Sequence, residues 1–126
     1  MGYIPINPNP YNNYTGDCVI RAICIAEDKD WDDVYLELMV LGYAKKDMIE
    51  SNELWSSYLH RLGYKRYIIP DTCPDCYTVR DFAKDHPEGT YILGTGTHAV
   101  AVRSGNYMDS WDSGQKVPIF YWKKED

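Results

Sequence analysis

Gly16-Asp17-Cys18-Val19-Ile20-Arg21-Ala22-Ile23-Cys24-Ile25-Ala26 is the stretch whose reading decides the fold. It is apolar on most sides and has Asp17 or Thr15 in place to cap its start, so it predicts a helix buried at the centre of the molecule. Working outward, residues 1–14 alternate Pro5, Pro8 and Pro10 with Asn7, Asn9, Asn12 and Asn13. That pattern favours polyproline II or turns and opposes a helix. Tyr3, Ile4, Tyr11 and Tyr14 give this arm side chains with which to lie against the body.

On the other side of the run, a second helix is expected from about Asp30, with Val34, Leu38 and Leu41 at helical spacing and Asp32 and Asp33 at its positive end. Ser51 is placed to cap a third, whose apolar face is Leu54, Trp55, Tyr58, Leu59 and Leu62 and whose stop is Gly63. Residues 15–63 therefore read as mainly helical and residues 64–126 as mainly strands. Strands are expected at 64–69, 90–93, 98–103, 107–111 and 117–122, with a short helix at 78–85 that carries Asp81 three residues after its cap. Helices followed by a run of antiparallel strands define an α+β fold.

A chain of 126 residues suits one domain, 1–126, with one core. Nineteen acidic against thirteen basic residues give a net charge of −6, which speaks against general nucleic-acid binding. Twelve Tyr, four Trp and two Phe supply enough buriable surface to disfavour disorder. No apolar run approaches the ~20 residues of a membrane helix, so no membrane association is expected. Met1 to Pro5 has neither a basic nor an apolar signal segment, and Ile6 breaks the myristoylation pattern. Cytoplasmic residence and four free thiols are the corresponding expectations.

Cys18 opens the apolar helix, where the positive end of the helix dipole stabilises a thiolate. Gly16 before it is expected to allow a sharp turn and close approach by a substrate. A nucleophilic thiol needs a base, and His98 begins the strand His98-Ala99-Val100-Ala101-Val102 after the loop Gly94-Thr95-Gly96-Thr97. A third group must orient the imidazole. If residues 103–106 form a four-residue hairpin loop, position 98 lies opposite 111, and His98, Asp109 and Trp111 share one face while Asp112 takes the other. An odd loop length reverses this and favours Asp112.

These segments resemble the papain-like cysteine peptidase superfamily. Gly16-Asp17-Cys18, His98-Ala99-Val100 and Asp109-Ser110-Trp111 match in chain order the Gly-Ser-Cys, His-Ala-Val and Asn-Ser-Trp motifs of papain-type enzymes. Small bacterial and phage proteins with a Gly-Asp-Cys-Val-Ile-Arg-Ala segment and a late Asp-x-Trp-Asp look similar as well. The resemblance implies a Cys-bearing helix packed with further helices against an antiparallel sheet of about four to five strands. It also implies Cys18 as nucleophile, His98 as general base and acid, and Asp109 as orienting residue, with Gly16, Asp17, Trp111 and Asp112 in support. Papain-type enzymes place a Gln six residues before the Cys to bind the oxyanion; Asn12 stands there, followed by Asn13. The implied activity is hydrolysis of peptide or isopeptide amides in a protein or peptide substrate, without metal or other cofactor, and acyl transfer would use the same chemistry.

Two rivals belong to other classes. One is a non-catalytic binding or inhibitor protein on the same scaffold. The other is a thiol redox or zinc module on Cys73-Pro74-Asp75-Cys76, with His60 or His86 as further ligands. The plainer expectation makes that segment a turn with two thiols and both histidines surface residues. Cys24 reads as a buried core residue.

Overall fold

The computed structural model describes residues 2–13, 15–49 and 51–125, so Tyr14 of the arm lies outside the described residues. The chain runs β1 (Gly2–Pro5), α1 (Cys18–Glu27), α2 (Trp31–Lys45), α3 (Asn52–Arg61), β2 (Tyr64–Ile68), α4 (Val79–Asp85), β3 (Thr90–Gly94), β4 (Ala99–Arg103), β5 (Asn106–Asp109) and β6 (Phe120–Lys124). The α+β class holds. The sheet has six strands in the order β1-β5-β4-β3-β6-β2, and it is mixed, because β1 runs parallel to β5.

That parallel strand corrects the expectation of polyproline II or turns for residues 2–5 alone; farther along, the arm turns as expected, with Asn12 N–H donating to the Asn9 carbonyl at 3.1 Å. Gly2 N–H donates to Asn106 Oδ1 at 3.0 Å, and the Tyr3 ring stacks on Tyr107 with centroids 5.4 Å apart. The open edge of β5 offers backbone partners that outweigh the local preference of the arm, and Pro5, lacking an N–H, is tolerated because β1 is an edge strand. Strand β6 also shifts: it begins at Phe120 rather than 117, and Pro118 supplies no donor to a ladder.

Both faces of the sheet are covered. On one, α1, α2 and α3 pack Ile23, Val34, Leu38, Leu54 and Leu59 against Ile92, Ala99, Ala101 and Trp122. On the other, α4 sets Val79, Phe82 and Ala83 against Tyr91, Leu93, Val100, Val102 and Tyr107. The small residues Ala99 and Ala101 alternate with Val100 and Val102, so α1 can approach β4 closely while the other face stays bulky. Seven consecutive residues of α1, Ile20 to Ala26, are buried, as expected of a central helix. Each large apolar side chain so enclosed contributes roughly 1.5–3 kcal/mol.

Local signals held at α4, where Thr78 Oγ1 accepts from Asp81 N–H at 3.2 Å and Asp81 Oδ2 accepts from Thr78 N–H at 3.1 Å. They held only in position at the other helices: Asp17, Asp30 and Ser51 are the N-cap residues, but none caps with its side chain. Ser51 Oγ instead donates to the carboxylates of Asp47 and Glu53.

The expectation of four free thiols is corrected in the segment between β2 and α4. Cys73 and Cys76 form a disulfide, while Cys18 and Cys24 are free. The three-residue spacing and the intervening turn bring the two sulfurs together. His60 is exposed, as expected, but His86 is half-buried and stacks on Phe82 at 3.8 Å. Among the described residues, no group of three or more His, Cys, Asp or Glu side chains is arranged to hold a metal ion, and no helix is long and apolar enough to cross a membrane.

Candidate active site

Two short hairpins fix the imidazole and its partner. Thr95 N–H donates to the His98 carbonyl at 2.9 Å, so the β3–β4 loop tightens to Gly96-Thr97, with Gly96 at φ +100°. A positive φ at the first central position of a two-residue turn is the glycine-requiring feature of the II′ type. His98 is thus anchored one residue before β4 instead of riding on a flexible loop. The β4–β5 loop is Ser104-Gly105, both at positive φ, and Arg103 pairs with Asn106. The loop therefore has two residues, not the expected four. Both lengths are even, so the register is unchanged and Asp109 still falls on the His98 side.

His98 Nε2–H donates to Asp109 Oδ2 at 2.6 Å, with the two side chains 10% and 4% exposed. Asp109 is itself held on several sides. Its Oδ2 accepts from Ser113 Oγ at 2.7 Å, its Oδ1 from Ser110 N–H at 2.8 Å, and its carbonyl from Ile6 N–H and the Tyr3 hydroxyl. Trp111 has left the strand, yet its ring lies over His98 with centroids 4.7 Å apart and covers the hydrogen bond from one side. Asp112 takes no part in orienting His98. It accepts from the Tyr107 hydroxyl at 2.6 Å and from Gly114 N–H at 3.0 Å, and it faces Arg80.

Cys18, half-buried at the start of α1, lines the same cleft as His98, and the charges of the two groups are coupled. Burial works against its thiolate, but the His98 ring, the Ala99 backbone N–H and the positive charges of His98 and Arg21 outweigh it, and the thiol lies below its usual value. Burial likewise works against the imidazolium. The Asp109 carboxylate and the Cys18 sulfur overcome that penalty and raise His98 from 6.5 to about 9. Both shifts run toward a thiolate–imidazolium pair.

Beneath Cys18, Asp17 is buried and gathers three elements. Its Oδ2 accepts from Asn9 Nδ2 of the arm at 3.0 Å and from Trp31 Nε1 of α2 at 2.9 Å, and its Oδ1 pairs with Arg21 at 3.0 Å. A carboxylate so enclosed demands such partners, which is why its side chain bridges arm and helices and leaves the cap position to its backbone. Gly16 needs no left-handed backbone, and a Cβ there would meet nothing within 4 Å. The chain nevertheless bends at Thr15 and Gly16 on entering α1, as expected, and the glycine leaves open space there.

A cleft of about 950 Å³ opens over these groups. Asn13, Gly16, Cys18 and His98 line it, and Trp31, Tyr35, Trp55 and Phe120 form an aromatic wall. Asn13 is thus brought to the thiol side of the cleft. Asn12 is not among the lining residues; held at φ +54°, it accepts from Asn7 Nδ2 at 3.2 Å through its own amide oxygen. Phe120 reaches the cleft by crossing Gly94, where any Cβ would come within 2.2 Å of its ring. Ser113 and the aromatic wall were not singled out from sequence. Ser113 follows four residues after Asp109 in a loop, where neither strand nor helix periodicity applies. No protein-family model, curated protein or solved structure matches this chain.

Proposed function

We propose that this protein is a papain-like cysteine peptidase or isopeptidase that works through a Cys18 thioester. The observation that carries the reading is the coupled line Cys18–His98–Asp109, with the thiol lowered and the imidazole raised, at the wall of a cleft large enough for a peptide segment. The thiolate attacks the substrate carbonyl carbon. The oxyanion that forms faces the backbone N–H of Cys18, one of the unpaired donors of the first turn of α1, and the amide of Asn13. As the C–N bond breaks, His98 gives its proton to the leaving amine. A water then loses a proton to His98 and attacks the thioester, and the acid product departs as the thiolate–imidazolium pair is restored. Asp109 keeps the ring in the tautomer that presents its other nitrogen to Cys18, and Trp111 shields that bond from water.

A peptidyl chloromethyl ketone tests the reading. Intact mass and peptide mapping are expected to place one adduct on Cys18, with labelling strongly slowed in His98→Ala. An adduct spread over both free cysteines, or unaffected by His98→Ala, would leave the proposal without its chemistry.

A further inference from the structure

Helix α2 has two apolar faces, and the body of the protein covers one of them. Val34, Leu38 and Leu41 are buried against the core. On the opposite side, Leu36, Met39, Val40 and Tyr43 recur at i, i+3, i+4 and i+7 and are 56%, 46%, 67% and 78% exposed. This is the spacing of a contact stripe, and such a stripe left in water marks an interaction surface.

The charges at its ends indicate what covers it. Asp32 and Asp33 stand in the first turn of α2, Lys45 in the last turn and Lys46 at the C-cap, all exposed. Lys46 folds onto the stripe: its Nζ lies 4.1 Å from the Tyr43 ring centroid and donates to the Tyr43 carbonyl. A second α2 laid antiparallel, with a two-fold axis between Met39 and Val40, sets Leu36 against Tyr43 of the second copy and Asp33 against its Lys46. The apolar centre and the charged ends share one midpoint, so a single axis matches both twice. The same register sets Asp47, which accepts from Met48 N–H and Ser51 Oγ, opposite Asp32 as a like pair, and Lys45 and Lys46 together leave the two ends opposite in net charge. The antiparallel arrangement also opposes the two helix macrodipoles favourably, whereas a parallel one stacks Asp32 and Asp33 on their copies.

We propose that the protein forms a two-fold homodimer through the Leu36, Met39, Val40 and Tyr43 face of α2. The proposal is independent of the chemistry at Cys18. Sedimentation equilibrium of the full chain is expected to give a concentration-dependent species of twice the 14.6 kDa protomer mass. Val40→Glu places like charges beside the axis and is expected to raise the dissociation constant by roughly a hundredfold or more. Lys46→Glu is expected to weaken the dimer roughly tenfold, and Asp33→Lys added to Lys46→Glu to recover it. These side chains are exposed, and thermal melting followed by circular dichroism verifies that each variant is folded. A wild-type chain that keeps its protomer mass up to about 1 mM, or a dimer indifferent to Val40→Glu, overturns the proposal. Failure of Asp33→Lys to rescue Lys46→Glu overturns the antiparallel register.

Discussion

Cys18 and Cys24 share one helix and meet opposite fates. Burial penalises the thiolate of both. At Cys24, in the middle of α1, burial acts together with the charges of Asp17 and Asp30 and pushes the thiol up to about 12. At Cys18 the same penalty is outweighed by His98, Ala99 N–H and Arg21. The helix itself is nearly uniform in composition, so the difference comes from what meets each thiol: an imidazole and a backbone N–H at one, core and carboxylates at the other. The acidity of the thiol is set by the junction between elements, not by the helix that carries it.

The sharpest way to break this contrast is to remove each sulfur in turn. Cys18→Ala is expected to abolish amide hydrolysis, by a factor on the order of 10⁴ or more in kcat/KM. Cys24→Ala should keep turnover and lose only packing, roughly 1–2 kcal/mol in a denaturant titration. Comparable activity losses in both variants would erase the distinction. Next in size is alkylation: at near-neutral pH, iodoacetamide should modify Cys18 at least about 1,000-fold faster than Cys24. Cys24 is pushed up to about 12, Cys18 lies below 9.0, and each unit of separation is a factor of ten in thiolate.

A pH titration sharpens the same contrast at His98. Its folded value is raised from 6.5 to about 9, so the stability it contributes is complete below about 6.5 and is lost as pH rises through about 9. The thiol of Cys18 is lowered, so its contribution runs the other way and fades as pH falls through that lowered value. In Cys18→Ala, which removes the opposing contribution, chemical-denaturation midpoints are expected to fall as pH rises above 6.5 and to lose that slope when His98→Gln is added. An unaltered slope in the double variant would assign the effect to other groups. The smallest expected effect separates the two aspartates. Ser113→Ala removes one hydrogen bond to Asp109 and should lower kcat/KM about fivefold. Asp112→Asn, which touches Tyr107 and Gly114 but not His98, should leave the pH profile where it is.

Much of this site was legible because strand side chains alternate. His98 and Asp109 could be placed on one face by counting along a hairpin, and the count survived a wrong loop length because two and four are both even. The three helices, the capping box at Thr78 and the buried character of Ile20 to Ala26 were legible from local chemistry for the same reason: their partners lie within a few residues. What stayed hidden depends on distant partners. β1 exists because β5 has a free edge on the far side of the sequence. Asp17 abandons its cap because Asn9 and Trp31 converge on it. Gly94 matters because Phe120 passes over it. None of these pairings leaves a periodic trace in the chain.

The placement of β1 beside β5 has a consequence for the protein as it is being made. Gly2–Pro5 emerge from the ribosome well before their partner strand Asn106–Asp109, which follows 104 residues later. Until His98 and the strands around it have followed, Cys18 has no imidazole beside it and no finished cleft above it. A nascent chain therefore carries an ordinary thiol, and the lowered one appears only once His98 and the closing strand have followed. Ribosome-bound chains ending before Asn106 should be alkylated at Cys18 no faster than an unfolded thiol, and early activation there would show that His98 reaches it without the closing strand.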